Sequence, residues 1–368
     1  MHGGLINRLS MFHRLPYIEL EPVNGFFGCH APSDGTRIVK FQGERTVGQI
    51  EKQAGVRFFQ PRRLGHVNLF VSSYERAAEF YQDIVGLEEV YRQPDNRASF
   101  VSNGNTYHDL GLTDVSSHYA QKGQQPGLNH IAFELENEVD LVKGYRLAVD
   151  AGVKFMSTQD HDVAHSIYKL DPEGNAVEVY ADVVEDWRTA RHGVFEKVKP
   201  EWIPGVTNEP SSELRYPKNP PIHVVPSSVF RARRVTHAGF VAEDYEKLYD
   251  YYTDLIGLTP FAGDRDSDYC VLRGTSSTEG ISLFRHPAGV PRGMHHVGIE
   301  VKDESELDRA LKKMAEKGIA LDREVSHPAR RTVCIQDPDG IRLQFYVNRR
   351  WEPAALKGVA LEEALYLL

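Results

Sequence analysis

Residues 62–87, RRLGHVNLFVSSYERAAEFYQDIVGL, return as residues 233–258, RRVTHAGFVAEDYEKLYDYYTDLIGL, at a constant offset of 171. Further along, GLNHIAFEL around His130 returns as GMHHVGIEV around His296, and LDPEGNAVEVY as QDPDGIRLQFY, now at an offset of 166. Self-similarity on this scale marks a duplicated domain, so the fold must be one that works twice in a single chain. Each copy divides again. A short strand pattern with a histidine near its start, at 66, 130, 237 and 296, is followed by a helical stretch and then by further strands. In the first of these, Val67, Leu69 and Val71 alternate as in a strand, Ala77, Ala78, Phe80, Tyr81 and Ile84 share one helical face, and Gly86 closes the helix. The pattern predicts an α+β fold of two homologous domains, each made of two βαβββ modules whose sheets curve around a central cavity.

The expected boundaries are an accessory arm at 1–60, a metal-binding domain at 61–183, a linker at 184–230, the degenerate domain at 231–350 and a tail helix at 351–368. Seven prolines between 200 and 226 fit an extended crossover better than a packed element. In the tail, Leu356, Val359, Ala360, Ala364 and Leu367 recur at near-helical spacing, which predicts a helix packed on the body or on a neighbouring subunit. A net charge of −9 disfavours a nucleic-acid partner. The chain shows neither a run of about 18 apolar residues nor an apolar leader, which argues against a membrane partner and for a cytoplasmic protein. Its three cysteines are far apart, so neither a disulfide framework nor a thiolate zinc site is expected. Any metal falls to histidine and carboxylate.

His66 and His130 occupy equivalent places on two first strands, and Glu178 sits on the strand after the DPEG turn, in the alternation Val177, Glu178, Val179. A glutamate in so apolar a strand needs a partner or a metal. Two imidazoles and a carboxylate on one face of an octahedral ion leave three positions open, the arrangement that suits Fe(II) and dioxygen. In the second copy His237 and His296 persist but Gln344 replaces Glu178, so the metal is assigned to the first copy.

At these residues the chain resembles the type I extradiol ring-cleaving dioxygenases of the vicinal oxygen chelate superfamily, over about residues 62–350. The family fingerprint runs from a histidine through an apolar-Tyr pair and an Asp-Pro-x-Gly turn to the metal-binding glutamate. Here it reads His161, Ile167-Tyr168, Asp171-Pro172-Glu173-Gly174, Glu178. Gln159 departs from it and leaves His161 and His165 as alternatives for the supporting histidine. The resemblance implies Fe(II), with Mn(II) as the alternative, a small aromatic diol and dioxygen as substrates, and a homo-oligomer. It further implies His108 as the acid on the oxygen side, Tyr168 as a hydrogen-bond partner of a substrate oxygen, Asn68 as a substrate-placing residue and His161 as a supporting donor. The residues alone also allow a His108–Asp109 ion pair in a loop, Tyr168 as plain core and Asn68 as a turn cap. Usual members keep the metal in the C-terminal copy, whereas this pattern is reversed. Two competing readings are a metal-dependent glyoxalase-like isomerase or lyase, and a ligand-sequestering protein. Hydroquinone or gentisate cleavage remains an alternative chemistry for the same site.

Overall fold

The computed structural model describes residues 57–194 and 200–368, so the expected arm at 1–60 lies outside the described residues except for its last four. The first copy runs β1 (Arg63–Val71), α1 (Tyr74–Phe80), β2 (Glu89–Arg92), β3 (Ala98–Val101), β4 (Leu110–Asp114), β5 (Gly127–Glu134), α2 (Glu138–Asp150), β6 (Ser157–Asp160), β7 (Ala164–Leu170) and β8 (Ala176–Asp182). A short β9 (Gly193–Val194) follows in the connection. The second copy runs β10 (Arg234–Ala242), α3 (Tyr245–Asp250), β11 (Thr259–Ala262), β12 (Tyr269–Arg273), β13 (Ile281–Arg285), β14 (Gly293–Glu300), α4 (Glu304–Lys317), β15 (Arg323–Ser326), β16 (Arg330–Gln336) and β17 (Arg342–Asn348). These are the four βαβββ modules. Each helix starts at a side-chain cap, Ser73, Asn137, Asp244 or Asp303, which accepts a main-chain N–H of the first turn.

Each copy forms one continuous sheet, ordered β6-β7-β8-β5-β1-β4-β3-β2-β9 and β11-β12-β13-β10-β14-β17-β16-β15. Within a module the first and last strands are parallel neighbours, and the two modules join through their antiparallel first strands. Period-two alternation then sorts the side chains. Val67, Leu69, Val71, Val177 and Val179 pack into a core shared by both copies, while His66, Asn68 and Glu178 face the hollow of the first sheet. Phe240, Leu248 and Leu283 are fully buried in the same core.

The copies are tied reciprocally. At the end of α1 the chain widens into a π-helical turn starting at Tyr81, and the equivalent turn after α3 contains Tyr252. Tyr81 donates its hydroxyl to Asp337 of the second copy's DPDG turn (3.1 Å), and Tyr252 donates to Asp171 of the first copy's DPEG turn (3.2 Å). The segment read as an extended linker is exposed over most of its described length and is held to the body at intervals. Trp202 is fully buried and stacks on His165 with ring centroids 4.4 Å apart, and the Arg62 guanidinium lies 3.5 Å from the Tyr216 ring centroid. Large aromatics at intervals anchor a chain whose prolines keep it from forming strands. Phe59, at the described end of the arm, joins the shared core.

The tail is not one helix. It breaks into α5 (Pro353–Leu356) and α6 (Leu361–Leu367), with Gly358 between them at φ 79°. That left-handed residue turns α6 back into the hollow of the second sheet, where Ala364, Leu365, Leu367 and Leu368 pack against Val241, Val271 and Phe284. Among the described residues no helix is long and apolar enough to cross a membrane.

Candidate metal centre

His66 lies on β1, opposite Ala132 of β5, and Ala132 in turn lies opposite Glu178 of β8. Two long side chains therefore meet across a strand whose residue at that level is only a methyl group. His130 stands two residues before Ala132 on the same middle strand. The strand pairing slips by one residue just before each histidine, at Gly65 and at Asn129. Such bulges re-aim the next side chain, and both imidazoles turn into the hollow. The same slips precede His237 and His296 in the second copy.

Oε2 of Glu178 lies 3.1 Å from Nε2 of His66 and 3.1 Å from Nε2 of His130. All three ligand atoms fall within 4.8 Å of one another, and among the described residues this is the only such cluster of three histidine, cysteine or acidic side chains. All three residues are buried, at 1%, 5% and 1% exposure for His66, His130 and Glu178. Burial pushes the Glu178 carboxyl up, but His66 and His130 outweigh it and hold the group well below the usual carboxylate range. Burial likewise lowers His66, against the pull of Glu178.

The donor set fits a divalent metal. His130 Nδ1 is 2.9 Å from Asn129 Oδ1, an atom that only accepts, so Nδ1 carries the proton and Nε2 keeps its lone pair. That Nε2, although close to Glu178, lacks hydrogen-bond geometry and has no partner, and Glu178 Oε1 is equally unpartnered. No Lys or Arg among the described residues pairs with Glu178. A buried carboxylate held against two imidazoles, with an unpartnered Nε2 on one of them and no Lys or Arg beside it, calls for a cation. Two nitrogens and one oxygen on one side, with the cavity on the other, match the facial arrangement of open-site metals.

The remaining candidates surround this cluster. His108, in the loop before β4, is 4% exposed, and its ring centroid lies 4.1 Å from that of His66. Its Nε2 is 3.0 Å from Asn68 Oδ1, while its Nδ1 is buried without a partner. Burial first, then His66, lowers its pKa well below the ordinary imidazole value. Asn68 is no turn cap. It lies inside β1 beside Gly111, where a Cβ would come within 2.3 Å of its Oδ1. Nor does Asp109 pair with His108, since it accepts from Ser102 Oγ (2.7 Å), Asn105 Nδ2 (2.9 Å) and the Val235 amide (3.1 Å).

Tyr168 pairs with Glu178 across β7 and β8 and is 4% exposed. Its hydroxyl is 2.9 Å from Nε2 of His161, and burial, then Glu178, raises its pKa well above the usual phenol value. His165, the other candidate for the supporting role, bonds Glu138 (2.7 Å) and stacks on Trp202, away from the cavity. The cavity wall also carries the stacked pair Tyr91 and Phe100, Tyr107, and Arg191, which sequence reasoning did not single out. Tyr107 is adjacent to His108, which the family resemblance had marked. Arg191 lies in the connection and has no repeat partner that could mark it.

In the second copy Glu279 stands at the place of His108, and the Glu178 position, Gln344, bonds His237 through Oε1 (3.1 Å) and donates to the Tyr366 carbonyl (3.1 Å). Nε2 of His296 is 3.1 Å from the Leu368 carbonyl oxygen. The side chains at the places of the first copy's cluster are satisfied by the chain itself.

The family model of the Glyoxalase/Bleomycin resistance protein/Dioxygenase superfamily matches residues 63–179 and again 234–345. The catechol-2,3-dioxygenase of Bacillus subtilis (strain 168) is 24% identical over 196 residues, which are 53% of this chain and 64% of that protein, less than two thirds of its length. The manganese-dependent 2,3-dihydroxybiphenyl 1,2-dioxygenase of Geobacillus genomosp. 3 is 23% identical over 323 residues, covering 82% of this chain and 92% of that one. Among solved structures, the Mn(II)-bound glyoxalase from Novosphingobium aromaticivorans aligns at a TM-score of 0.56 and 17% identity, over 80% of this chain and 83% of that one. A mutant of homoprotocatechuate 2,3-dioxygenase from Brevibacterium fuscum aligns at 0.56 and 18%, over 82% and 75%. At such identities the structural matches speak for the fold alone. Because the family model covers both copies and more than half of the sequence, the chain belongs to the Glyoxalase/Bleomycin resistance protein/Dioxygenase superfamily.

Proposed function

We propose that the protein is an Fe(II)-dependent extradiol dioxygenase that opens the ring of a catechol-like substrate, with Mn(II) as the alternative metal, and that its one active site is in residues 61–183. The observation that carries this reading is the convergence of His66, His130 and Glu178, buried and without a basic counter-ion, on an aromatic-walled cavity. When bound, such a metal supplies adjacent open positions at which an aromatic diol and dioxygen can meet. The dioxygenase names of several relatives support the same chemistry.

The chain's own residues then have separate tasks. Asn68 Oδ1 only accepts, so the neutral His108 ring holds its proton on Nε2 and presents a bare Nδ1. In the free protein His108 is therefore set to take a proton from a substrate hydroxyl, which it returns later as an acid. Tyr168, kept neutral by burial, supplies a hydroxyl beside Glu178, and His161 holds that hydroxyl in place. Tyr91, Phe100 and Tyr107 give the ring a flat, dry wall.

An isomerase or lyase of the same superfamily would need no dioxygen, and among the described residues that line the cavity Glu178 is the only carboxylate, which leaves no second carboxylate to act as base. The deciding experiment loads anaerobic protein with Fe(II) or Mn(II), adds catechol, and follows dioxygen uptake together with the absorbance of the ring-opened product. The expected outcome is about one dioxygen per diol and about one metal per chain, both lost in Glu178→Ala. Diol binding without dioxygen uptake would exclude the dioxygenase, and full metal retention in Glu178→Ala would exclude the site.

A further inference from the structure

Arg191 is the only arginine or lysine among the described residues that line the cavity, and it is 5% exposed. One terminal nitrogen donates to the Tyr91 hydroxyl (2.5 Å) and the other to the main-chain oxygen of His161, while Nε is buried with no partner. Its guanidinium carbon lies 5.0 Å from the Tyr91 ring centroid and 5.7 Å from that of Tyr107. Among the described residues no carboxylate comes within ion-pair distance of it, and the one acidic group among those that line the cavity, Glu178, faces His66 and His130 instead.

A phenol and a carbonyl can solvate a guanidinium, but they do not neutralise it. Burying such a charge is costly unless an anion arrives with geometry to match. The Arg191 Nε–H is one donor still unpaired, on a planar group that suits carboxylates. The stacked rings of Tyr91 and Phe100, 4.3 Å apart and 11° from parallel, form an apolar wall in the same cavity. Taken on the ring-cleavage reading above, on which it rests, this arrangement points to the substituent of the substrate. We infer that Arg191 is a specificity-determining residue that binds a carboxylate carried by the substrate ring, so that the preferred substrates are carboxylated aromatic diols and not neutral ones.

The test is calorimetric titration of the anaerobic, metal-loaded protein with catechol, with 2,3- and 3,4-dihydroxybenzoate, and with the methyl ester of each acid, which keeps the shape and removes the charge. At least one acid should bind about 10–100-fold more tightly than its own ester, the range for a buried charge-assisted hydrogen bond. In Arg191→Met that ratio should collapse toward one, and Arg191→Lys should restore part of it. Equal affinities of acid and ester in the unaltered protein would overturn the inference, as would a ratio that survives Arg191→Met. If Arg191→Met does not fold, the ratios in the unaltered protein and in Arg191→Lys decide the matter. Catechol binding with no preference for either acid refutes the role of Arg191 alone, whereas binding of none of the five compounds overturns the ring-cleavage reading along with it.

Discussion

His108 and Asn68 form a pair in which the amide fixes which imidazole nitrogen is bare, and this gives each of them a distinct signature on substitution. His108→Phe keeps a ring of similar breadth against His66 and removes only the proton carrier. The variant should hold its metal and bind catechol anaerobically, and turnover after dioxygen is admitted should fall by about 10²–10⁴-fold. Rapid-mixing absorbance checks this, and an unchanged rate would reduce His108 to a wall residue. The candidate ligand set was legible because repetition exposed it, with His66 and His130 at matched places and Glu178 behind a turn that recurs, whereas His108 and Asn68 came from the family resemblance alone, their repeat counterparts being Glu279 and Gly239. What the repeat could not expose was orientation. The bulges at Gly65 and Asn129 come from strand pairing, and no local pattern in the sequence states them. Arg191 stayed hidden for the same reason, since it lies in a connection whose residues meet the cavity only through tertiary packing. In the second copy the absence of histidine from the segment 274–284 was visible. That its replacement Glu279 meets Arg330, which occupies the place of Ala164, was not, because the pair is made by two changes far apart in the chain.

The element that departs most from its sequence reading is the tail. Its apolar spacing predicted one helix, but Gly358 divides it, and α6 enters the hollow of the second sheet as a ligand would. Thr332 Oγ1 and Gln344 Nε2 both donate to the Tyr366 carbonyl, at 2.7 and 3.1 Å, and one nitrogen of Arg330 reaches the Leu367 carbonyl at 3.4 Å. The second cavity is thus closed by main-chain oxygens and leucine side chains, and His237 and His296 find their partners within the chain, in Gln344 and the Leu368 carbonyl. Leu367 is wholly buried, so Leu367→Ala should lower the stability of the chain by about 2–5 kcal/mol in denaturant titration, with the metal content of the first copy unchanged. A loss below about 0.5 kcal/mol, the range of an ordinary surface change, would mean that α6 only rests on the sheet.

At the scale of the whole molecule, the two crossed tyrosine-to-aspartate bonds make each copy a support for the other. Asp171 also accepts from the Glu173 and Asn175 amides, both at 2.9 Å, and so shapes the turn that delivers β8 and Glu178. Tyr252→Phe removes the one bond this carboxylate receives from the second copy, and Tyr81→Phe removes its mirror image at Asp337. Both variants should lose about 1–3 kcal/mol of stability. Only Tyr252→Phe should also weaken metal retention, by up to about tenfold in chelator competition. Equal metal retention in the two variants would show that the turn needs no help from the far copy. The same bond bears on how the protein is made. Asp171 precedes Tyr252 by 81 residues, so during synthesis the turn leading to Glu178 leaves the ribosome long before its clamp exists. At about 5–20 residues per second that interval is roughly 4–16 s. For that interval the nascent first copy has to hold the turn before β8 without the second copy's hydrogen bond.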